Sequence, residues 1–196
     1  MAKQSEDLQL WNDFRKGEEY ALSEIYRRHA DSLYSYGKKF TSNSELVKDT
    51  IQDLFFNLIR TRSKLGVTDN IYFYLLRSYR RALTRNLKKT ENANVFQLNP
   101  ELPVMELKYS LEEELLRKEK LDNRERIILN SLQMLSPKQR EIIYYRYTCD
   151  FDYDQICELM TLKYDSARKL VFRAIKVLRE QLENDKKLIL LCVSFQ

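Results

Sequence analysis

Apolar residues in the first half of the chain recur three, four and seven positions apart, which is the spacing of one face of a helix. This pattern predicts four helices, over residues 8–16, 20–39, 45–62 and 71–89. Gly17 is expected to end the first of them, because glycine readily adopts the left-handed backbone at a helix end. The residues expected to face the core from the third and fourth helices are Val47, Ile51, Leu54, Leu58, Ile59, Leu76, Tyr79, Leu83 and Leu87.

The second half carries the clearest helix boundaries. Ser136, Pro137 and Gln139 match a capping box with proline at the first helical position, so a helix is predicted to begin there. Asp152 can cap a second, short helix at residues 153–160, and a longer helix follows after a tight turn. This layout is typical of a helix-turn-helix. The apolar stripes consist of Ile142, Ile143 and Tyr147 in the first helix and Leu170, Val171, Ala174, Ile175 and Leu178 in the third.

Between these halves, residues 92–106 lose all periodicity and include two prolines, which indicates a linker. We therefore predict an all-α protein with two small helical domains, residues 1–90 and 110–184, joined by a flexible linker at 91–109. The tail at 185–196 receives no functional interpretation. The chain has only three glycines and three prolines, which disfavours all-β folds and glycine-rich phosphate loops.

Cysteine and histidine usage argues against a metal centre. Cys149, Cys157 and Cys192 have no paired or metal-ligand spacing, and His29 is the single histidine. Free thiols suit a reducing cytoplasm. The amino terminus has no apolar run of a secretion signal, and the longest apolar run, residues 188–193, is too short to cross a bilayer. We expect a cytoplasmic protein without metal, cofactor or membrane insertion.

The third and fourth helices of the first half carry faces of opposite charge. One strip on the third helix has residues at positions i, i+3, i+4, i+7 and i+11. It combines two carboxylates, an amide and an aromatic ring, so it could dock on a basic helix of a partner. The alternative is a solvated acidic face with its phenylalanine partly buried. The fourth helix interleaves basic and aromatic residues, a combination that suits melted nucleic acid, although aromatic residues at helical spacing are often core. The strip consists of Asp49, Gln52, Asp53, Phe56 and Arg60, and the fourth-helix residues are Tyr72, Phe73, Tyr74, Arg77, Tyr79, Arg80, Arg81, Arg85, Lys88 and Lys89.

The last helix of the second half is basic, and most of its cations lie off its apolar stripe, free to meet DNA phosphates and base edges. The alternative is an ordinary solvated basic face. An enzyme is disfavoured, because no nucleophile stands with a base. The best catalytic candidate, a metal-dependent nuclease, would have to combine aspartates from both predicted domains. The basic residues are Arg168, Lys169, Arg173, Lys176 and Arg179, and the aspartates are Asp49, Asp53, Asp152 and Asp154.

With these motifs in place, residues 8–182 resemble a bacterial sigma-70-type factor of the extracytoplasmic-function (ECF) group, above all the versions common in Bacteroidetes. The larger members' extra domain between the two domains is absent. The first-domain motifs are Trp11 to Phe14, Tyr26 to Tyr36, Asp49, Gln52, Asp53 and Phe55, and then Tyr74, Leu75, Leu76, Arg77 and Arg80. The second-domain motifs are Arg140, Glu141, Ile142, Ile143, Arg146 and Tyr147, and then Ser166, Arg168, Arg173, Ala174, Leu178 and Arg179. Three residues depart from the family pattern, namely Cys157 for alanine, Thr161 for glycine and Arg81 for asparagine.

The resemblance implies a function. The first domain would be sigma region 2, which docks on the β′ clamp helices of core RNA polymerase and captures a flipped base of the melted minus-10 element. The second would be a winged-helix-like sigma region 4 that reads the minus-35 element and touches the β flap. The polymerase contacts would be Asp49, Gln52, Asp53 and Phe56. The minus-10 contacts would be Asn70, Tyr72, Tyr74, Arg77, Arg80 and Arg81, and the minus-35 contacts Tyr164, Ser166, Arg168, Lys169 and Arg173.

Such factors are usually held inactive by a membrane-anchored anti-sigma protein, so a partner of that kind is expected. The alternative from another class is a helix-turn-helix regulator that binds DNA without polymerase. That function would need a sensory or dimerising first domain, of which the sequence has no sign.

Overall fold

The computed structural model describes residues 2–91 and 131–183, and the elements within these ranges are helical, with no β-strand among them. The chain divides into two compact units, Met1–Pro103 and Val104–Gln196. The all-α prediction is therefore confirmed. Most of the predicted linker and the whole predicted tail at 185–196 lie outside the described residues, so the predicted domain limits stay predictions.

Four helices and one short 3₁₀ turn build the first unit, and their ends follow from local chemistry. Gly17 has φ +101° where the first helix ends. Asn43 Oδ1 accepts a 3.0 Å hydrogen bond from Leu46 N and so caps the third helix. The elements are α1 (Ala2–Lys16), α2 (Glu19–Gly37), α3 (Ser44–Thr61), the 3₁₀ turn (Arg62–Lys64) and α4 (Ile71–Glu91).

The helices α2, α3 and α4 meet at one very close contact. A Cβ on Gly37 would lie 2.2 Å from the Tyr79 hydroxyl oxygen and 2.9 Å from Val47 Cγ1, so only glycine fits there. Tyr79 is completely buried, as predicted, and burial raises the pKa of its hydroxyl. A second link joins α3 to α4, where the buried Thr50 hydroxyl donates to Leu46 O at 2.6 Å and accepts from Asn86 Nδ2 at 3.1 Å.

One core assignment on α3 is wrong. Ile59 is 43% exposed, whereas Phe55 is buried and its ring meets the Tyr26 ring edge-on at 4.9 Å. Successive helical residues are about 100° apart, so Ile59 lies one step beyond Leu58 and leaves the buried face. The Phe55 ring covers the side of α3 that faces α2.

The second unit is a helix-turn-helix in which two short helices pack on a longer one. Both halves of the predicted capping box are present, because Ser136 Oγ accepts from Gln139 N at 3.3 Å and Gln139 Oε1 accepts from Ser136 N at 2.8 Å. Asp152 and Gln155 form a second capping box, at 2.8 and 3.1 Å, which the sequence analysis did not predict. The elements are α5 (Pro137–Ile143), a π turn (Tyr144–Thr148), α6 (Tyr153–Met160) and α7 (Tyr164–Glu183).

The π turn after α5 carries Tyr145 into the core. Tyr145 is buried, and its hydroxyl donates a 2.9 Å hydrogen bond to the buried carboxylate of Glu141. Tyr147 is exposed, so its expected place on the apolar stripe is wrong. The core position lies three residues after Ile142 rather than five, which keeps it on the same helix face.

The turn between α6 and α7 has the left-handed backbone conformation that glycine usually adopts, although the residue there is a threonine. Thr161 has φ 54° and ψ 48°, the left-handed conformation. Leu162 N donates a 3.0 Å hydrogen bond to Cys157 O across the turn. A residue with a Cβ is strained in this conformation by roughly 1–2 kcal/mol. The departure from the family pattern at this position therefore changes the energy of the turn and leaves its backbone conformation intact.

Candidate nucleic-acid and protein interfaces

The predicted strip on α3 is a continuous exposed surface. Asp49, Gln52, Asp53 and Arg60 are exposed, and Phe56 is 65% exposed. The alternative in which Phe56 is partly buried is therefore not what the structure shows. Within residues 2–91 and 131–183, neither aspartate of the strip takes part in an ion pair. An exposed ring beside two free carboxylates is the composition of a docking surface rather than of a packed core.

A basic row runs along α4. Arg77, Arg81, Arg85 and Lys89 follow one another at intervals of four residues, so they share one helix face over about 18 Å. Arg77 is half-buried and the other three are exposed. The first unit thus carries a row of positive charge on α4 and the acidic strip on α3.

Arg80 does not belong to this basic row, and its predicted contact with DNA phosphates is wrong. Its side chain is only 5% exposed. The physical reason is its position on α4, where Leu76 precedes it by four residues and Thr84 follows it by four, and both are buried. Arg80 is therefore part of the interior of the first unit.

The three residues predicted to line a minus-10 pocket make contacts with different parts of the first unit. Asn70 Oδ1 accepts a 2.9 Å hydrogen bond from Phe73 N and so caps α4. Tyr74 packs on Trp11 of α1 at 4.8 Å, whereas Tyr72 stacks on His29 of α2 at 5.6 Å. Two helical residues two positions apart point about 200° from each other, so the two tyrosine rings do not line one pocket.

The turn between α3 and α4, residues 62–70, presents an apolar side chain that the sequence analysis missed. Val67 is 64% exposed, and no atom beyond the adjacent residues of the chain lies within 4 Å of the position of a Cβ on Gly66. An unstacked base needs an open apolar surface of this kind. The sequence signal for Val67 is weak, because the turn contains a second apolar residue, Leu65, which is half-buried.

The predicted DNA face of α7 is exposed along its whole length. Ala167, Val171 and Ala174 are buried, which leaves the residues predicted to meet the minus-35 element on the open side. Phe172 is 70% exposed on that same side, four residues after Arg168. Phe172 is not among the residues predicted from the sequence, although its place outside the apolar stripe was an available signal. The exposed predicted residues are Tyr164, Ser166, Arg168, Lys169 and Arg173.

Aromatic contacts join the beginnings of α6 and α7. The Tyr164 ring packs on Tyr153 at 5.4 Å, and the Arg146 guanidinium carbon lies 5.3 Å from the centre of the Tyr153 ring. Arg146 also donates a 2.9 Å hydrogen bond to Phe151 O. These contacts fix Tyr164 at the start of the exposed basic face of α7.

The described residues contain no group of histidine, cysteine, aspartate and glutamate side chains that could hold a metal ion. The aspartates of the nuclease alternative are split between the two units, and the Asp152 carboxylate caps α6. Burial raises the pKa of the Cys157 thiol, with a smaller effect from Asp154, which favours the unreactive protonated form. None of the described helices is long and apolar enough to span a membrane.

Comparison with known families identifies the family of the chain, while the roles of these surfaces stay predictions. The model of sigma-70 region 2 matches residues 25–92, and the model of sigma-70 region 4 matches residues 125–178. Together they take in most of the chain, in the order region 2 and then region 4. The chain belongs to the sigma-70 family. It is therefore an RNA polymerase sigma factor, with α2 to α4 in region 2 and α5 to α7 in region 4. The likeness to Bacteroidetes versions stays a prediction.

Solved structures of sigma factors have the same fold. CnrH, in complex with the cytosolic domain of CnrY, matches with a TM-score of 0.58 and 17% identity, over 91% of this chain and 98% of that one. RpoE from Bartonella quintana, in complex with the anti-sigma factor NepR, matches with a TM-score of 0.52 and 18% identity, over 82% and 96%. No curated protein matches the chain.

Proposed function

We propose that this sigma factor belongs to the ECF group and uses three separate surfaces for initiation. The α3 strip docks on the β′ clamp helices of core polymerase, the turn and α4 hold melted minus-10 DNA, and α7 reads the minus-35 element. The observation that carries this proposal is the presence of two exposed faces of opposite charge in the first unit. Such a unit can hold a basic protein surface and a nucleic-acid strand at the same time. The two family matches are separated only by residues 93–124, as expected for the short members of the family.

The minus-35 contact follows from the open face of α7. Arginine and lysine side chains read guanine edges in the major groove, and an apolar side chain reads the thymine methyl group. Arg168, Lys169 and Arg173 provide the first kind of contact, and Phe172 provides the second. Tyr164 and Ser166, at the beginning of the helix, suit phosphate contacts, because hydroxyl groups often donate to phosphate oxygens.

An anti-sigma protein is the proposed regulator. CnrH and RpoE were each solved in complex with a second protein, which is named as an anti-sigma factor for RpoE. Exposed apolar groups next to charged ones, such as Phe56 and Ile59 on α3, suit a partner that competes with polymerase for the same surface. We propose that this partner is membrane-anchored. Contact of region 4 with the β flap belongs to the same proposal.

The factor acts by binding, and catalysis belongs to the polymerase. A polymerase-independent regulator is the second candidate from another class. It fails to explain why the region 2 unit exposes Phe56 beside two carboxylates, since a DNA-only function has no use for an acidic apolar surface.

Transcription by the reconstituted holoenzyme tests this function. Core polymerase with the purified protein is expected to give RNA from discrete start sites on a genomic fragment library, whereas core polymerase alone is not. Each start site should lie downstream of two sequence elements at a constant spacing, the minus-35 and the minus-10 element. Specific DNA binding by the protein alone, with no start sites in the presence of polymerase, would support the independent regulator instead.

The basic row on α4 gives a further prediction. Arg81→Ala and Arg85→Ala should each lower the slope of log Kobs against log salt for single-stranded DNA by about 0.7, because each removes one phosphate contact. Arg80→Ala should leave that slope unchanged and lower the free energy of unfolding by about 1–3 kcal/mol, since its side chain is buried. Salt titrations by fluorescence anisotropy and urea melts measure the two effects. Equal slopes for Arg81→Ala and the wild type would exclude Arg81 from the DNA contact.

A further inference from the structure

The first helix, α1, holds the turn between α3 and α4 by two hydrogen bonds. Trp11 Nε1 donates to Gly66 O at 2.8 Å, in the middle of the turn. Ile71 N, at the end of the turn, donates to Asp7 Oδ2 at 3.1 Å. Asp7 and Trp11 are four residues apart and therefore share one face of α1. Both side chains are buried. The bond between Ile71 and Asp7 is buried, where water competes least, and the bond between Trp11 and Gly66 is partly buried.

A third contact lies at the beginning of the turn. Gly17, at the end of α1, has φ +101°, and a Cβ there would lie 3.0 Å from the guanidinium carbon of Arg62. The guanidinium thus lies against backbone that has no side chain. With the two hydrogen bonds, α1 contacts the turn at its beginning, middle and end.

The hydrogen bond that Asp7 accepts also satisfies a backbone N–H group at the amino terminus of α4. The first backbone N–H groups of a helix have no partner within the helix, and a carboxylate near them is favourable. Asn70 satisfies Phe73 N from within the turn, while Asp7 satisfies Ile71 N from another helix. The position of α4 relative to the turn is therefore set partly by α1.

We infer that α1 is a clasp that fixes the turn in the shape that receives an unstacked base, with Asp7 and Trp11 as positioning residues. This inference rests on the proposed minus-10 function of the turn. Trp11 holds the carbonyl of Gly66, so the next residue, the exposed Val67, is held in one direction. The clasp lies outside residues 25–92, which the region 2 model matches.

The expected effect follows from the population of the competent turn. When a turn samples several conformations, only one of which binds the ligand, its apparent affinity equals the intrinsic affinity multiplied by the fraction of molecules in the binding conformation. Loss of one intramolecular hydrogen bond shifts such an equilibrium by roughly three- to tenfold. The same factor is expected in the affinity for a single strand.

Trp11→Phe tests the clasp because it removes the N–H group and keeps a ring against Tyr74. The full chain is titrated by anisotropy with a labelled randomised single strand and with the same pool as a duplex. Single-strand affinity should fall roughly three- to tenfold. Duplex affinity, which the second unit provides, and core-polymerase affinity should not change. Hydrogen exchange should be faster in residues 62–71.

Two controls separate positioning from general destabilisation. Asp7→Asn keeps an acceptor oxygen and should bind single strands like the wild type, whereas Asp7→Ala should lose affinity as Trp11→Phe does. Val47→Ala removes buried methyl groups about 20 Å along α3 from the turn. It should lower Tm and leave both single-strand affinity and exchange at 62–71 unchanged.

The outcomes distinguish the inference from the proposed function. Binding of the single strand by the wild type, with unchanged single-strand affinity in Trp11→Phe and Asp7→Ala, would overturn the clasp alone. An equal loss of single-strand affinity in Val47→Ala would also overturn it, since the effect would then follow stability. No detectable binding of the wild type to the single strand would overturn the proposed base capture and the clasp with it.

Discussion

Charge reversal of the α3 strip, in the double variant Asp49→Lys and Asp53→Lys, is expected to abolish association with core polymerase. Like charges brought together across an interface cost several kcal/mol. A loss of about 4 kcal/mol corresponds to an affinity roughly a thousandfold weaker. The fold should persist because both side chains are exposed and have no ion-pair partner in the described residues. Interferometry with immobilised core polymerase measures the affinity, and thermal melts check the fold.

A matched control variant changes the net charge by the same amount through substitutions on α1 and α2. Glu6→Lys with Asp31→Lys reverses two exposed carboxylates on α1 and α2, away from the strip. This variant should bind polymerase within about threefold of the wild type, since neither side chain belongs to the proposed docking surface and exposed charges outside an interface are partly screened by salt. Equal weakening in both double variants would mean that net charge, and not the strip, determines the association.

The second large effect is expected on α7. The triple variant Arg168→Ala, Lys169→Ala and Arg173→Ala should weaken binding of a minus-35 duplex by about 3–6 kcal/mol, because each side chain bonded to a base edge contributes roughly 1–3 kcal/mol and the contributions of neighbouring side chains add incompletely. That loss corresponds to about two to four orders of magnitude in affinity. Core-polymerase binding should be unchanged. Gel shifts with the full chain measure the affinity for the minus-35 duplex. The duplex carries the upstream element of a start site that has been mapped with the holoenzyme.

The carboxyl-terminal half of α7 provides the control for this variant. Lys176 forms an exposed ion pair with Glu180 at 3.7 Å, and Arg179 lies beyond it. Lys176→Ala with Arg179→Ala should lower affinity for all duplexes alike, through the salt-dependent phosphate contribution. The recognition assignment fails if the triple variant keeps the wild-type preference for the minus-35 element over a scrambled duplex.

The sequence by itself determined where most helices begin and end and which faces carry charge. The capping box of Ser136 and Gln139 and the stop at Gly17 act within one turn of helix, so residue type and spacing are sufficient to predict them. The α3 strip and the open face of α7 are equally local, since a helical period fixes which residues share a side. Exposed Phe172 was visible as an apolar residue outside the stripe, but periodicity alone does not say that nothing covers it.

Only the tertiary structure decided which polar faces are covered. Arg80 and Arg81 are neighbours of the same residue type, yet only Arg80 is buried, because other helices close over one side of α4. Tyr72 and Tyr74 turn toward different helices for the same reason. The bonds from Trp11 to Gly66 and from Asp7 to Ile71 join residues 55 and 64 positions apart. Such contacts depend on how amphipathic helices pack together, and helical periodicity carries no information about packing partners.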